Sequence, residues 1–331
     1  MRRLSGLPVR VLYPGAMRAC RARWTVVAAI AMAPIVAYAE GSPPLVPSAA
    51  SESNGSAAPV APDDPPPGLT AAPCGSAPAG TSCIPGGWFL RGHDRQFFNN
   101  RPMTRVWVDT FFMDRTEVTV QAFDACVAAG KCIPARTIYN DFDRPLQPKV
   151  GVRWVDASNY CRALGLHLPT EAEWEKAARG TDGRLYPWGN EVATCDRAVI
   201  KDRRGRSCGV LKALPEPDKG RTWEVGSMPA NQYGLFDMSG NAWEWVADWY
   251  SSSYASCDGF CSKPNPRGPC DGAEVCSGHS RRVVRGGSWY WEADHASAVF
   301  RQAHFPENRP YHHYGFRCAA SLGEAASLPG Q

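Results

Sequence analysis

Apolar and polar positions keep a helical or strand period over only short stretches of this chain, so few regular elements are predicted. Val106 to Thr116 reads as a strand, and Thr119 to Ala129 as a helix that Gly130 ends. Asp156 is placed to cap a helix running to Leu164, with Gly165 as its stop. Thr170 opens another helix, because Thr170 and Glu173 have the spacing of a capping box and Gly180 follows as the C-terminal residue. Beyond Gly180 the chain is mostly Gly, Pro and aromatic residues, with a last strand near Gly315–Ala320. The pattern predicts a compact α+β domain of low regular content rather than a sandwich or a helical bundle.

The stretch Asn231–Tyr250 fits neither period. It packs two Gly, three Trp, two Tyr, a Phe and the oxygen-bearing side chains Asp237, Asn241, Glu244 and Asp248 into twenty residues. Two readings follow. The Trp side chains fill a core loop, or the loop holds calcium, since hard cations take carboxylate and carbonyl oxygens from irregular backbone. In the second reading Asp237 and Glu244 are the charged ligands, with the Gly240 and Ala242 carbonyls beside them.

The ends of the chain differ from its middle. Residues 1–39 carry six Arg and no acid, then an uncharged run from Trp24 to Ala37, and Ala37-Tyr38-Ala39 has the small-x-small form of a signal-peptide cleavage site. The apolar run is shorter than the roughly 20 residues a membrane-spanning helix needs, so no stable membrane insertion is expected after cleavage. Residues 40–73 are rich in Pro, Ala, Ser and Gly and are expected to form a disordered linker. Residues 74–320 then make one domain and 321–331 a tail. Without residues 1–39, 30 basic side chains face 32 acidic ones, a formal charge of −2. No clustered basic face marks a nucleic-acid partner. A peptide, protein or small molecule remains as the substrate or partner class.

Thirteen cysteines are present, of which Cys20 falls in the signal segment, leaving an even twelve. In an exported chain, secreted or periplasmic, that predicts a disulfide framework. Short loops suggest the pairs Cys74–Cys83, Cys126–Cys132 and Cys195–Cys208, and the stretch holding Cys257, Cys261, Cys270 and Cys276 closes on itself.

Seven motifs carry a family resemblance. GLFDMSGNAWEW within the aromatic stretch resembles the signature of the formylglycine-generating enzyme, or sulfatase-modifying factor, family. IPGGWFLRG (Ile84–Gly92), MDRTEVTVQAF (Met113–Phe123), LPTEAEWEKAARG (Leu168–Gly180), YPWGN (Tyr186–Asn190), RVVRGGSW (Arg282–Trp289) and GFRCAA (Gly315–Ala320) follow the family's order. The resemblance implies an irregular fold related to C-type lectins and a bridge between Cys161 and Cys318. It also implies a second calcium site, to which Asp196 and Asp218 correspond.

The resemblance also exposes a departure. Formylglycine-generating enzymes oxidise a sulfatase cysteine with copper held by two cysteines that follow the RGGSW motif. Here Trp291 and Ala296 stand at those two positions, and no cysteine lies between Cys276 and Cys318. Cu(I) selects thiolate ligands, so the family's chemistry is expected to be absent. Ser288, Trp289 and Arg301 are kept around the expected cleft. Glu292 could act there as a general acid or base whose pKa the neighbouring Tyr290 and Trp291 raise. Glu292, Asp294, His295, His304, His312 and His313 share the same stretch, which suits non-haem iron or copper in an oxidative site or, alternatively, surface and structural histidines. Three functions follow: an exported enzyme with altered oxidative chemistry, a lectin-like binding module for peptide or glycan, and, last, a sulfatase activator working without the cysteine pair.

Overall fold

A computed structural model describes residues 64–213, 219–307 and 311–328. The expected signal peptide, the first part of the expected linker, Asp218 and the end of the expected tail lie outside the described residues.

The strand expected over Val106–Thr116 is two strands that enter different sheets. β2 (Gly87–Arg91) pairs antiparallel with β3 (Thr104–Val108), while β1 (Thr81–Ile84) pairs antiparallel with β4 (Phe111–Asp114). The chain leaves the ladder at Asp109 and Thr110. The Asp109 carboxylate accepts from Trp107 Nε1 at 2.7 Å and Asn265 Nδ2 at 2.8 Å, and Thr110 Oγ1 accepts from the Gly86 N–H and donates to the Ala72 carbonyl. The Asp64 carbonyl likewise accepts from Trp88 Nε1 at 2.9 Å. The last part of the expected 40–73 linker is therefore tied to the domain.

Three helices follow their local signals. Thr119 caps α1 (Val120–Ala128), its hydroxyl accepting from the Ala122 N–H. α2 spans Trp154–Ala163, one turn earlier than expected, because Asp156 sits inside it as the third residue and its carboxylate accepts from the Arg153 N–H at 3.1 Å. α3 (Glu171–Arg179) starts from the capping box of Thr170 and Glu173 and stops at Gly180.

The aromatic stretch yields β5 (Trp243–Trp249), the centre of a four-stranded sheet with β6 (Arg282–Arg285), β7 (Gln302–His304) and β8 (Tyr314–Gly315) in the order β7-β6-β5-β8. The expected final strand is divided: β9 (Ala319–Ser321) leaves that sheet and pairs with β4 instead. The expected tail begins with a short helix, α4 (Leu322–Ala326), capped by Ser321.

Two apolar clusters sit on the two sides of β5. Phe89, Phe111, Trp174 and Val246 pack in one; Phe123, Tyr160, Trp243, Trp245 and Phe316 pack in the other, around the Cys161–Cys318 bridge. The twelve cysteines of the described residues form six disulfides. They include the four expected pairs, and Cys257–Cys261 and Cys270–Cys276 close the remaining loop on itself. No helix among the described residues is long and apolar enough to cross a membrane.

Candidate functional site

The loop after β6 turns on Gly286 and Gly287, both at positive φ. A Cβ on Gly287 would stand 2.8 Å from Ala296 Cα and from the His295 carbonyl, so the two limbs of the loop meet only because this residue is glycine. Ser288 and Trp289 are buried on that turn. The Trp289 ring lies 5.6 Å from Phe142, 5.4 Å from Tyr290 and 5.3 Å from His312. Ser288 and Trp289 are thus brought into one aromatic wall.

The two positions at which the resembling family carries cysteine are occupied in different ways. Ala296 is fully buried, and its carbonyl accepts from Ser239 Oγ at 2.7 Å. Trp291 is half-buried and stacks on His295, with ring centroids 5.1 Å apart and planes 17° from parallel. His295 also packs on Phe300 at 4.6 Å, and its Nδ1 lies 2.7 Å from Asp294 Oδ1. All twelve cysteines of the described residues being in disulfides, no thiol is placed near this loop.

Glu292 departs from expectation. It is exposed, Lys201 Nζ holds its carboxylate at 2.5 Å, and that hydrogen bond lowers its pKa instead of raising it. Arg301 is buried in an ion-pair network: its Nε and Nη2 donate to the two oxygens of Glu171 at 2.6 and 2.9 Å. The network around it was not anticipated from the sequence. Glu171 also receives Arg91 and Arg285, and Glu175 receives Arg179, Arg285, the Gly92 N–H and the Tyr254 hydroxyl, all of them buried. Burial opposes ionisation of Glu171, but Arg301, Arg285 and Arg91 outweigh it and pull its pKa down to about 2. The i, i+4 spacing of Glu171, Glu175 and Arg179 on an otherwise Ala- and Trp-bearing helix was the available signal.

The histidines divide into two groups: His312 and His313 lie 5.1 Å apart and His313 shares Tyr314 with His304, whereas His295 packs on Trp291. His304 packs on Tyr314 at 4.3 Å and Trp245 at 5.8 Å. His313 is buried, not a surface group, and burial pushes the pKa of His312 down to about 3 and of His313 to about 4. Nδ1 of each is buried without a hydrogen-bond partner. Among the described residues no group of three or more His, Cys, Asp or Glu side chains is placed to hold a metal ion.

The expected calcium ligands separate into two kinds. Both oxygens of Glu244 are engaged, by Arg317 Nη2 at 2.7 Å, Arg317 Nε at 2.8 Å and Trp174 Nε1 at 2.7 Å. Asp237 is different: Oδ2 accepts from the Gly226 N–H at 2.6 Å, but Oδ1 is buried with no partner other than Glu117. Glu117, which sequence reasoning did not single out, faces it closely enough for the two carboxyls to share a hydrogen bond, and its Oε2 meets no other donor. Burial, and then the charge of Asp237, raise the pKa of Glu117; burial pushes Asp237 up to about 6. Asp237 and Asn241 both sit at positive φ, and Asn241 Nδ2 donates to Glu117 Oε1 at 3.0 Å. Gly240 is required here, since a Cβ would lie 2.5 Å from the Val199 carbonyl. Two buried carboxyls that have only each other as partner at these oxygens suit a cation in place of the proton they share; a carboxylate already clamped by an arginine does not. Asp196 is exposed.

Fold, motifs and loop together define the class. The chain belongs to the sulfatase-modifying factor enzyme 1-like domain family, whose model matches residues 69–322. It is similar to the formylglycine-generating enzyme of Thermomonospora curvata, 38% identical over 189 residues that cover 54% of this chain and 57% of that one. It is also similar to a protein of Mus musculus called inactive C-alpha-formylglycine-generating enzyme 2, 33% identical over 188 residues, 53% of this chain and 50% of that one. The chain thus spans about half the length of these curated relatives. Among solved structures it resembles PvdO from Pseudomonas aeruginosa, with a TM-score of 0.58, 25% identity, and coverage of 73% of this chain and 94% of that one.

Proposed function

We propose that this chain is an exported member of the family that binds a peptide, glycan or small molecule at the loop after β6 and does not convert a sulfatase cysteine to formylglycine. The observation that carries the reading is the replacement of the copper-binding thiolates: Trp291 and Ala296 take their positions, and every described cysteine is in a disulfide. The side chains that could act instead are committed elsewhere, Glu292 to Lys201 and Arg301 to Glu171. Tyr290 and Trp291, both half-buried on that loop, offer flat aromatic surface of the kind that sugar rings and peptide side chains stack on, backed by the buried Trp289. Six disulfides support export, because such frameworks persist in oxidising compartments.

Calcium is part of the proposal. Asp237 and Glu117 would hold it with their carboxyl oxygens, and the Gly240 and Ala242 carbonyls are the neutral oxygens nearest in sequence. A hard divalent cation there would neutralise two buried carboxylates and fix the loop that leads into β5.

The test is turnover. The full chain, supplied with Cu(I) and oxygen, is incubated with a cysteine-containing sulfatase peptide, and the peptide is analysed by mass spectrometry. The expected result is an intact thiol; appearance of the formylglycine aldehyde would overturn the proposal.

A further inference from the structure

A cavity of about 430 Å³ lies away from the loop after β6, between α2, the corner joining β3 to β4, α4 and the β5–β6 pair. Its volume falls in the range of small-molecule pockets, roughly 300–1,000 Å³. Trp154, Ser158 and Arg162 line it from positions i, i+4 and i+8 of α2, which share one helix face.

The charges in it divide unevenly. On one side His167 sits between Glu324 at 2.7 Å and Glu173 at 3.3 Å, so that two carboxylates are already matched with an imidazolium. Asp109 is held by Trp107 and Asn265, and Glu274 is exposed. On the other side stand Arg162, Arg267 and Arg282, and among the described residues no carboxylate lies within ion-pairing distance of any of them.

Arg282 is the most telling of the three. Its guanidinium is 3.8 Å from the Trp154 ring and 3.5 Å from the Trp249 ring, clamped between them. It is 2% exposed, its Nη1 donates to the Ala247 carbonyl at 2.6 Å, and its Nε is buried with no partner. Asp248 and Glu274 act on it through space and its Nη2 reaches the Glu274 carbonyl at 3.5 Å, but no carboxylate is in direct contact. Burying a cation without a direct partner is costly, and two aromatic faces offset only part of that cost. Arg162 and Arg267 line the same cavity and are exposed.

We propose that this cavity binds a small organic carboxylate, gripped by Arg162 and Arg267 and held in the positive field of the aromatic-clamped Arg282. Guanidinium forks match carboxylate geometry, and charge-assisted pairs of this kind are the strong ones. The carboxylate could belong to a free di- or tricarboxylate or to the C-terminus of a peptide.

Isothermal titration of the full chain at fixed ionic strength separates these cases. The probes are glutarate, tricarballylate, the neutral isostere glutaramide, and a tripeptide with either a free or an amidated C-terminus. The expected result is saturable binding of at least one carboxylate probe, no binding of its amide counterpart, and an affinity about tenfold or more weaker in Arg162→Gln and in Arg267→Gln. Preference for the acids or for the free-carboxylate tripeptide identifies the source. Both arginines are exposed, so neither variant threatens the fold. No saturable binding of any carboxylate, equal binding of glutaramide, or unchanged affinity in the double variant would overturn the proposal.

Discussion

Trp291 lies face to face with His295, 5.1 Å between ring centroids. Trp291 and Ala296 stand where the resemblance to formylglycine-generating enzymes implies the two copper-binding cysteines. Trp291 packs against the core cluster that holds Trp243 and Trp245. Substituting it should therefore cost stability: Trp291→Ala is expected to lose about 3 kcal/mol, the low end of the Trp→Ala range because the ring is half-buried. Urea denaturation checks this. A variant as stable as the wild type would show that the ring is surface, not a plug.

Calcium should stabilise the chain through Asp237 and Glu117. By mass action, calcium at a hundredfold excess over Kd adds about 3 kcal/mol. The thermal midpoint should rise with calcium and fall with a chelator, and Asp237→Asn should remove most of that difference. A midpoint indifferent to chelation would count against the site. Elemental mass spectrometry of the dialysed protein reads the same question by stoichiometry and also reports any iron or copper.

The His167 bridge between α3 and α4 sets an alkaline limit. Burial alone would lower the pKa of His167, but Glu173 and Glu324 outweigh it and raise it to about 10. A raised folded-state pKa means that the stabilisation is fully present below the unfolded value of about 6.5 and is lost as pH climbs toward 10. His167→Gln should cost about 2 kcal/mol at pH 6, on the scale of a hydrogen bond to a charged group, and little at pH 10. Denaturation midpoints at the two pH values check it; an equal loss at both would place the effect in packing, not charge.

Much of the fold was legible in the sequence because its signals are local. Thr119, the Thr170–Glu173 box and Gly180 each fix a helix end through one or two hydrogen bonds, and the close cysteine pairs follow from short loops. Where the outcome depended on distant partners, local reading failed. The 106–116 run looks continuous, yet Asn265 and Ala72 pull Asp109 and Thr110 out of the ladder. Asp156 looks like a cap, but the cap is Arg153, which Asp156 braces from inside the helix.

The candidate site was legible in what it lacks and less so in what fills it. The missing thiolates are a matter of residue identity and need no coordinates. Whether Glu292 is desolvated depends on Lys201, ninety-one residues earlier, and whether Arg301 is already paired depends on Glu171. Glu117 was overlooked because its partner, Asp237, is far along the chain and only the fold sets the two buried carboxyls together.

The most direct test of the central claim is Cu(I) binding by the full chain, measured in competition with a chromophoric chelator. The expected result is that the wild type leaves the chelator loaded, since neither Trp291 nor Ala296 offers a thiolate. The variant Trp291→Cys/Ala296→Cys, where it folds, should compete. Tight, stoichiometric uptake of Cu(I) by the wild type would contradict the claim, whatever the variant does.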